Sequence, residues 1–503
     1  MNSLTAKFLS IFIMAGLPNL VFGKMNVLFI ANDDLRPMIP GMKPEDSPYD
    51  YMVTPNLDKF IEEAVTFTNA HVQFAECGPS RASILFGRRP DTTQVYDLYN
   101  NPRETMNLNA KTIPELFKDE GYHTVGVGKI FHDGHSSNNS DPVSWSTDYG
   151  DDYFMGSDNY PSYGGSNSWM AVDEDKTGQV QDSTVRDRAV ELLTNFSKGT
   201  DLSEDQPFFL AVGLRKPHLP FIVPQEFYDL YPKESIELTP NDYAPCDMPS
   251  VAYASWELQG YQDVADTNFT GQINETLDSS KALEEVRGYQ AAVSYTDHNV
   301  GVLLDTLKDL NLQDNTIVVY WGDHGWKLGH HGAWCKHTNF REDTNSPIII
   351  RVPGASAAIT DSLIEHVDLA ATLADIAGLT PLPTCPANDP GSVDRCTEGQ
   401  SFKRLIEDPS LEWKNASYSQ YIRGKVMGYS MTTKTARFTA WVAFDTEKNV
   451  TDWSNLQAEY YDHTTDPLEN RNLANLDEYA ADVAEMFEQV KAGWRATSST
   501  IKH

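Results

Sequence analysis

Basic residues are scarce in this chain of 503 residues. It contains 39 lysines and arginines against 72 aspartates and glutamates, which gives a formal net charge of −33 at pH 7. A protein that binds nucleic acid needs a basic surface to neutralise phosphates, so this charge balance excludes nucleic acid as a partner. The acidity itself indicates a protein that stays soluble in a salty or acidic compartment.

Long apolar runs are almost absent. The exception is N-terminal, where Lys7 precedes the apolar stretch 8–17 and the small residue Gly23 offers a cleavage point before Lys24. This stretch is too short to span a bilayer, so residues 1–23 are predicted to be a signal peptide, the alternative being a hydrophobic helix packed on the domain. No later stretch is long and apolar enough for a membrane helix, and we expect no stable membrane insertion.

Six Asn-x-Ser/Thr sequons accompany the predicted signal peptide. They begin at Asn138, Asn195, Asn268, Asn274, Asn415 and Asn449. Such a set is typical of a glycoprotein of the secretory pathway when the source is eukaryotic.

Cysteine is also rare, with five residues in the chain. Cys77 belongs to a reactive motif described below, and the other four cysteines allow three disulfide connectivities. Cys385 and Cys396 flank a loop rich in Pro, Asn, Asp and Gly, and they are the predicted disulfide. Cys246 and Cys335 then either pair with each other or stay free.

What the chain does contain is an alternation of apolar, β-branched runs with helical patterns. The predicted strands cover 26–31, 124–128, 207–213, 316–321 and 347–352, and the predicted helices cover 113–120, 183–196 and 282–310. Runs that are apolar on both faces are typical of a parallel sheet covered by helices. The pattern therefore predicts a doubly wound, mostly parallel α/β sheet flanked by helices.

A smaller C-terminal α+β subdomain with an antiparallel sheet is predicted after the α/β domain. Residues 427–433, 437–444 and 459–462 have the pattern of strands, and residues 477–494 read as a closing amphipathic helix. A chain of this length is expected to form two units, with a catalytic domain at 24–406 and the subdomain at 412–503.

Charged and imidazole side chains follow the predicted strands. They are Asp33, Asp34, Lys129, His132, Lys216, His218, Asp323 and His324. Doubly wound sheets place their sites beyond the carboxyl ends of the strands, so we expect these groups to converge. The aspartates offer hard oxygen ligands for a calcium ion. Two long loops, 133–178 and 236–280, are interpreted as lids or specificity elements, the alternative being disordered insertions.

The most informative motif is Cys77-Gly-Pro-Ser-Arg81, which continues to Gly87-Arg88. A thiolate at the N-terminus of a helix is a good nucleophile. The alternative is a buried or disulfide-bonded cysteine beside an ordinary helix start.

This motif resembles the signature of the sulfatase family, in the alkaline phosphatase superfamily, with Phe86 where that family usually has Thr. Further segments resemble the branch of the family that removes the 2-O-sulfate of iduronate, and the similarity runs from Met25 to Leu473. These segments are 26–37, 87–93, 127–132, 216–221, 323–336, 427–433 and 461–470. Many sulfatases have Asp-Asn where this chain has Asp323-His324, and the histidine is typical of that branch.

The resemblance implies a role for each matching residue. Cys77 would be oxidised to Cα-formylglycine by a maturase, and one calcium ion would be held by Asp33, Asp34, Asp323, His324 and the modified Cys77. Arg81 would steady the formylglycine, while Lys129 and Lys336 would neutralise charge on it and on the sulfate. His218 would protonate the leaving sugar oxygen, and His132 would accept the proton that accompanies release of sulfate. Lys216, Trp326 and Trp334 are candidate substrate-binding residues, although the tryptophans are nearly as well explained as core residues.

The implied activity is hydrolysis of a sulfated sugar. The implied substrate is the 2-O-sulfate of a uronic acid in a glycosaminoglycan or related polysaccharide. The protein would enter the secretory pathway and be extracellular or lysosomal. The lysines and histidines of the motifs supply the local cations that the acidic chain otherwise lacks. The family tends to show Glu-His-Gly-Glu-Trp where this chain has residues 330–334, His-His-Gly-Ala-Trp, so the preferred sugar stays open. The alternatives are a phosphodiesterase or phosphonate hydrolase of the same superfamily, or a glycan-binding homologue without activity.

Overall fold

The computed structural model describes residues 24–42, 51–138, 140–146, 167–173 and 180–498. The predicted signal peptide, 1–23, lies outside these residues, as does most of the long loop predicted at 133–178.

Seventeen strands and fourteen α-helices lie within the described residues. The strands are β1 (Asn26–Asp33), β2 (Val65–Phe67), β3 (Ala70–His71), β4 (His123–Gly128), β5 (Trp169–Val172), β6 (Phe208–Pro217), β7 (Phe221–Pro224), β8 (Thr316–Gly322), β9 (Lys327–Leu328), β10 (Trp334–Cys335), β11 (Ile348–Arg351), β12 (Ala358–Thr360), β13 (Ile364–Glu365), β14 (Ser417–Arg423), β15 (Val426–Thr432), β16 (Ala436–Asp445) and β17 (Val450–Asp462). The helices are α1 (Pro55–Ile61), α2 (Cys77–Phe86), α3 (Pro90–Thr93), α4 (Pro102–Thr105), α5 (Ile113–Asp119), α6 (Gln181–Ser197), α7 (Gln225–Asp229), α8 (Gln262–Ala265), α9 (Ser279–Asp309), α10 (Arg341–Thr344), α11 (Leu369–Ile376), α12 (Lys403–Glu407), α13 (Ala480–Ala492) and α14 (Trp494–Ser498).

The central sheet has seven strands in the order β12-β2-β11-β8-β1-β6-β4. Strands β8, β1, β6 and β4 run parallel to one another, and β12 runs parallel to β2. The prediction of a mostly parallel α/β sheet flanked by helices is confirmed.

Strand β11 differs from the expectation of a parallel sheet, because it pairs antiparallel with both β8 and β2. The reason lies in its connection: after β8 the chain stays at the carboxyl edge of the sheet, where the N–H of Gly325 donates to the carbonyl of Asp343. No long crossover helix returns the chain to the opposite edge, so β11 starts at the carboxyl edge and runs backwards.

The core lies on both faces of the sheet. Successive residues of β1 alternate between two buried clusters, with Leu28 and Ile30 in one and Val27, Phe29 and Ala31 in the other. Strand side chains point alternately to opposite faces, so a central strand covered on both sides is apolar throughout. The long helix α9 and α6 cover the first face.

A second sheet, β14-β15-β16-β17, is antiparallel throughout, and α13 packs against it. The predicted antiparallel C-terminal sheet is therefore confirmed, and β14 is an additional strand that the sequence pattern did not indicate. The proposed division of the chain near 407–413 stays a prediction.

Cys385 and Cys396 are joined by a disulfide, and Cys77, Cys246 and Cys335 are free thiols.

Within the described ranges, no helix combines the length and the apolar composition needed to cross a membrane.

Candidate active site

Helix α2 begins at Cys77 and is buried along its whole length. It ends at Gly87, whose φ of 61° lies in the left-handed region that favours glycine, and an added Cβ would lie 2.8 Å from the Cβ of Ala370. Burial, with a further contribution from Asp33, raises the pKa of the Cys77 thiol well above its usual value. The unmodified thiol is therefore a poor nucleophile, even though it lies at the N-terminus of a helix.

Four candidate metal ligands surround the Cys77 thiol. Asp33 is the last residue of β1 and Asp34 follows it, while Asp323 and His324 follow β8. Because β1 and β8 are parallel neighbours, all four residues lie at the carboxyl edge of the central sheet. The Sγ atom of Cys77 lies 3.3 Å from Nε2 of His324 and 3.7 Å from Oδ1 of Asp34. All four side chains are fully buried.

The charges of these ligands fit a cation. Ligand atoms of Asp33, Asp34, Cys77 and His218 lie within 4.8 Å of one another, and so do those of Cys77, Asp323 and His324. Burial raises the pKa of Asp34 to about 7 in spite of the nearby Lys336, and Asp33 adds to the rise. A divalent cation between these carboxylates would offset that repulsion, and hard oxygen donors suit calcium.

Three cations lie against the carboxylates. The guanidinium of Arg81 bridges Oδ1 of Asp33 at 3.1 Å and Oδ2 of Asp323 at 2.8 Å. The Nζ atom of Lys129 lies 2.5 Å from Oδ2 of Asp33, and Nζ of Lys336 lies 2.9 Å from Oδ2 of Asp34. Burial of all three cations removes competing water and strengthens these contacts.

The two predicted acid–base histidines have different settings. Nε2 of His218 lies 3.7 Å from Oδ2 of Asp34, and Nδ1 is hydrogen-bonded to the carbonyl of Leu219. Nδ1 of His132 lies 3.1 Å from the carbonyl oxygen of Asp133, which leaves Nε2 available. Burial and then Lys129 lower the pKa of His132 to about 4, so this imidazole is neutral and able to accept a proton.

The three predicted substrate-binding residues are placed differently. Nζ of Lys216 donates to the carbonyls of His218 and Pro220, both at 2.7 Å, and so supports the backbone that carries His218. Trp326 is buried in the core, and Nζ of Lys336 lies 4.8 Å from its ring centroid. Trp334 belongs to the same buried core cluster, and a role in substrate binding stays a prediction for all three residues.

Glu257 is a member of the site that the sequence motifs did not indicate. It lies in the loop 236–280, and its carboxylate contacts Nζ of Lys336 at 3.1 Å and Nε2 of His218 at 3.4 Å. Although burial opposes it, Lys336 holds the pKa of Glu257 well below its usual range, so the group is ionised. A single glutamate in an irregular loop carries no spacing or periodicity, and nothing in the sequence distinguishes it from the chain's many other acids.

Comparison with protein families gives two overlapping matches. The family model described as Sulfatase matches residues 25–379, and the model for the C-terminal part of N-sulphoglucosamine sulphohydrolase matches residues 329–495. The first match includes every candidate site residue named above.

Individual relatives extend the comparison. Iduronate 2-sulfatase of Mus musculus is 36% identical over 521 aligned positions, which cover 90% of this chain and 91% of the relative. A solved structure of a 2-O GAG sulfatase has a TM-score of 0.67 at 20% identity and covers 94% of this chain and 92% of its own. The phosphonate monoester hydrolase from Silicibacter pomeroyi has a TM-score of 0.71 at 18% identity, with 94% and 96% covered. At these identities the two structures show a shared fold alone.

Proposed function

The chain belongs to the sulfatase family, and we propose that it removes the 2-O-sulfate of a uronic acid from a sulfated saccharide, with a formylglycine made from Cys77 and a calcium ion. The observation that carries the proposal is the position of Cys77 as the first residue of α2, with its Sγ among four buried metal-ligand candidates. Since burial raises the pKa of the Cys77 thiol, a thiolate nucleophile is disfavoured at this position, which supports a nucleophile made by modification of the cysteine.

Asp33, Asp34, Asp323 and His324 would hold the calcium ion together with the modified Cys77. When bound, calcium would polarise the sulfate ester and the hydrated aldehyde of formylglycine, which supplies the attacking hydroxyl. Arg81, fixed between Asp33 and Asp323, keeps two of these carboxylates in place.

Two lysines and two histidines would supply the charge compensation and the proton transfers of the proposed reaction. Lys129 and Lys336 lie at the carboxylates and offset the negative charge that a sulfate group brings. His218 keeps Nδ1 on the Leu219 carbonyl, so Nε2 is the atom that would give a proton to the leaving sugar oxygen. An anionic sulfate beside His218 favours the protonated form that this step needs. His132, with Nδ1 occupied, would accept a proton at Nε2 in the second half of the reaction.

The substrate and the compartment are inferred from similarity and from sequence features. The 36% identity with iduronate 2-sulfatase over 90% of the chain supports a 2-O-sulfated uronic acid in a glycosaminoglycan or related polysaccharide. The Cys385–Cys396 disulfide and the six sequons support passage through the secretory pathway, to the outside of the cell or to the lysosome. A formylglycine-generating maturase is then a required partner.

Two measurements test this proposal. Mass spectrometry of the peptide that contains Cys77, from protein made with a maturase, should show the aldehyde in place of the thiol. The same preparation should desulfate a 2-O-sulfated uronate disaccharide faster than it hydrolyses a phosphonate monoester. An intact thiol together with glycan binding would favour an inactive homologue, and faster phosphonate hydrolysis would favour the alternative hydrolase.

A further inference from the structure

We propose that Glu257 is a positioning residue, which holds the side chains of His218 and Lys336 in the arrangement needed for desulfation. The inference rests on the proposed function, in which His218 is the acid and Lys336 offsets charge. It concerns a residue outside every segment that carries the family resemblance.

The contacts of the Glu257 carboxylate define this role. Oε1 lies 3.4 Å from Nε2 of His218, while Oε2 lies 3.1 Å from Nζ of Lys336. Oε2 also lies 3.4 Å from Nε2 of His337. One carboxylate therefore spans the two groups that must face the sulfate ester from different segments of the chain, after β6 and after β10.

The backbone at Glu257 is held in an unfavourable conformation. Its φ is 87°, in the left-handed region that a residue with a Cβ rarely adopts. Such a conformation persists only when its surroundings fix it, and it occurs often at functional sites. The neighbouring residue makes one contact that holds this backbone in place. The ring of Trp256 stacks on His337, with centroids 3.9 Å apart and an interplanar angle of 19°.

A hydrogen-bonded chain fixes His337 in turn. Nδ1 of His337 lies 2.9 Å from the hydroxyl of Tyr421 on β14, and this hydroxyl lies 2.9 Å from Oε2 of Glu76. Glu76 directly precedes Cys77, so the chain of contacts runs from the start of α2 through the C-terminal sheet to Glu257. Glu257 is thus anchored on one side and presents its carboxylate to His218 and Lys336 on the other.

Replacement of Glu257 by glutamine distinguishes a positioning role from a packing role, because the two side chains have nearly the same shape. In Glu257→Gln the shape is kept, but the negative charge is lost and an NH₂ group, which accepts no hydrogen bond, replaces one of the two oxygens that face Lys336 and His218. If Glu257 only fills space, the glutamine variant will match the wild type. If it positions the two groups, kcat will fall while KM changes little, because a misplacement of about 1 Å costs on the order of 10²-fold in rate.

The test compares wild type, Glu257→Gln, Glu257→Ala and the control Glu237→Gln, an exposed glutamate of the same loop. Each is made with the maturase, and kcat, KM and Tm are measured on a 2-O-sulfated uronate disaccharide. We expect Glu237→Gln to match the wild type, and Glu257→Gln to lose on the order of 10²-fold in kcat with Tm unchanged. A glutamine variant with wild-type kcat would overturn the proposal.

A second readout does not depend on turnover. Crystal structures of the wild type and Glu257→Ala should show the His218 ring and the Lys336 ammonium displaced in the variant, with Cys77 and Asp34 unmoved. Undisplaced side chains would overturn the positioning role. If the wild type hydrolyses no sulfate ester, the proposed function fails, and these structures still decide the role of Glu257.

Discussion

The Nε2 atom of His324 lies 3.3 Å from the Sγ atom of Cys77, although 247 positions separate the two residues. One follows a central strand and the other begins a helix, and both side chains are buried. The contact exists because the carboxyl ends of β1 and β8 and the start of α2 meet at one edge of the sheet. Any group formed from the Cys77 side chain therefore lies beside the candidate metal ligands.

Replacement of Cys77 by alanine should reduce sulfatase activity to the uncatalysed background, because no other described side chain occupies the attacking position. The cavity left by the missing side-chain group is small, so the variant should remain folded. Steady-state rates and Tm are the measurements, and Cys246→Ala, at an exposed free cysteine, is the matched control. Appreciable turnover by the alanine variant would refute the role assigned to Cys77.

Replacement of His218 by alanine should slow hydrolysis of a sugar sulfate by about 10²–10⁴-fold, the usual contribution of a general acid. The loss should be much smaller for 4-nitrophenyl sulfate, whose leaving group needs no proton. The measurement is kcat/KM for both esters. Equal losses on the two substrates would show that His218 does not act as the acid.

Removal of the proposed calcium ion should abolish activity and lower Tm, because ions that bind only the folded state stabilise it by mass action. Without the ion, the carboxyl groups of Asp33, Asp34 and Asp323 remain buried close to one another. Dialysis against a chelator, followed by calcium or magnesium titration with Tm as the readout, checks this expectation. A Tm that is indifferent to chelator would count against a metal at this site.

Replacement of Glu469 by alanine should destabilise the protein by about 3 kcal/mol, the lower end of the cost of removing one partner of a buried ion pair, because Glu459 still lies 3.8 Å from Arg437. Glu469 accepts two hydrogen bonds from the buried guanidinium of Arg437, at 2.8 and 2.9 Å. Denaturant unfolding of the variant measures the loss. The exposed pair of Asp445 and Lys448 is the control, and Lys448→Ala should leave the unfolding free energy nearly unchanged.

The pH dependence of stability should change on replacement of Asp297 by asparagine. The Asp297 carboxylate accepts hydrogen bonds from the N–H groups of Asn56 and Leu57 at the start of α1, and burial raises its pKa from 3.8 to about 6. The native state therefore holds the proton more tightly than the unfolded state between these values. Relative to the variant, the wild type should lose about 2 kcal/mol as the pH rises from 4 to 6, since the slope approaches about 1.4 kcal/mol per unit only in the middle of that range. Parallel unfolding curves for the two proteins across that range would contradict this.

Much of the fold follows from local sequence patterns. The runs that became β1, β4, β6 and β8 are apolar on both faces, and the charged residues after them come together because parallel strands end at one edge. The antiparallel direction of β11 could not be predicted, since direction depends on the connection and not on the strand's own residues. Glu257 could not be predicted for a related reason, because its place in the site arises from contacts with Lys336 and His218 that no spacing encodes.

The burial of Cys77 has a consequence for the order of events in biosynthesis. Its side chain is 3% exposed at the start of a wholly buried helix, so an enzyme that oxidises this thiol cannot reach it in the finished protein. The proposed conversion of Cys77 would then have to precede folding. Purified, folded and unmodified protein should remain unmodified when mixed with a maturase, whereas the unfolded chain should serve as its substrate.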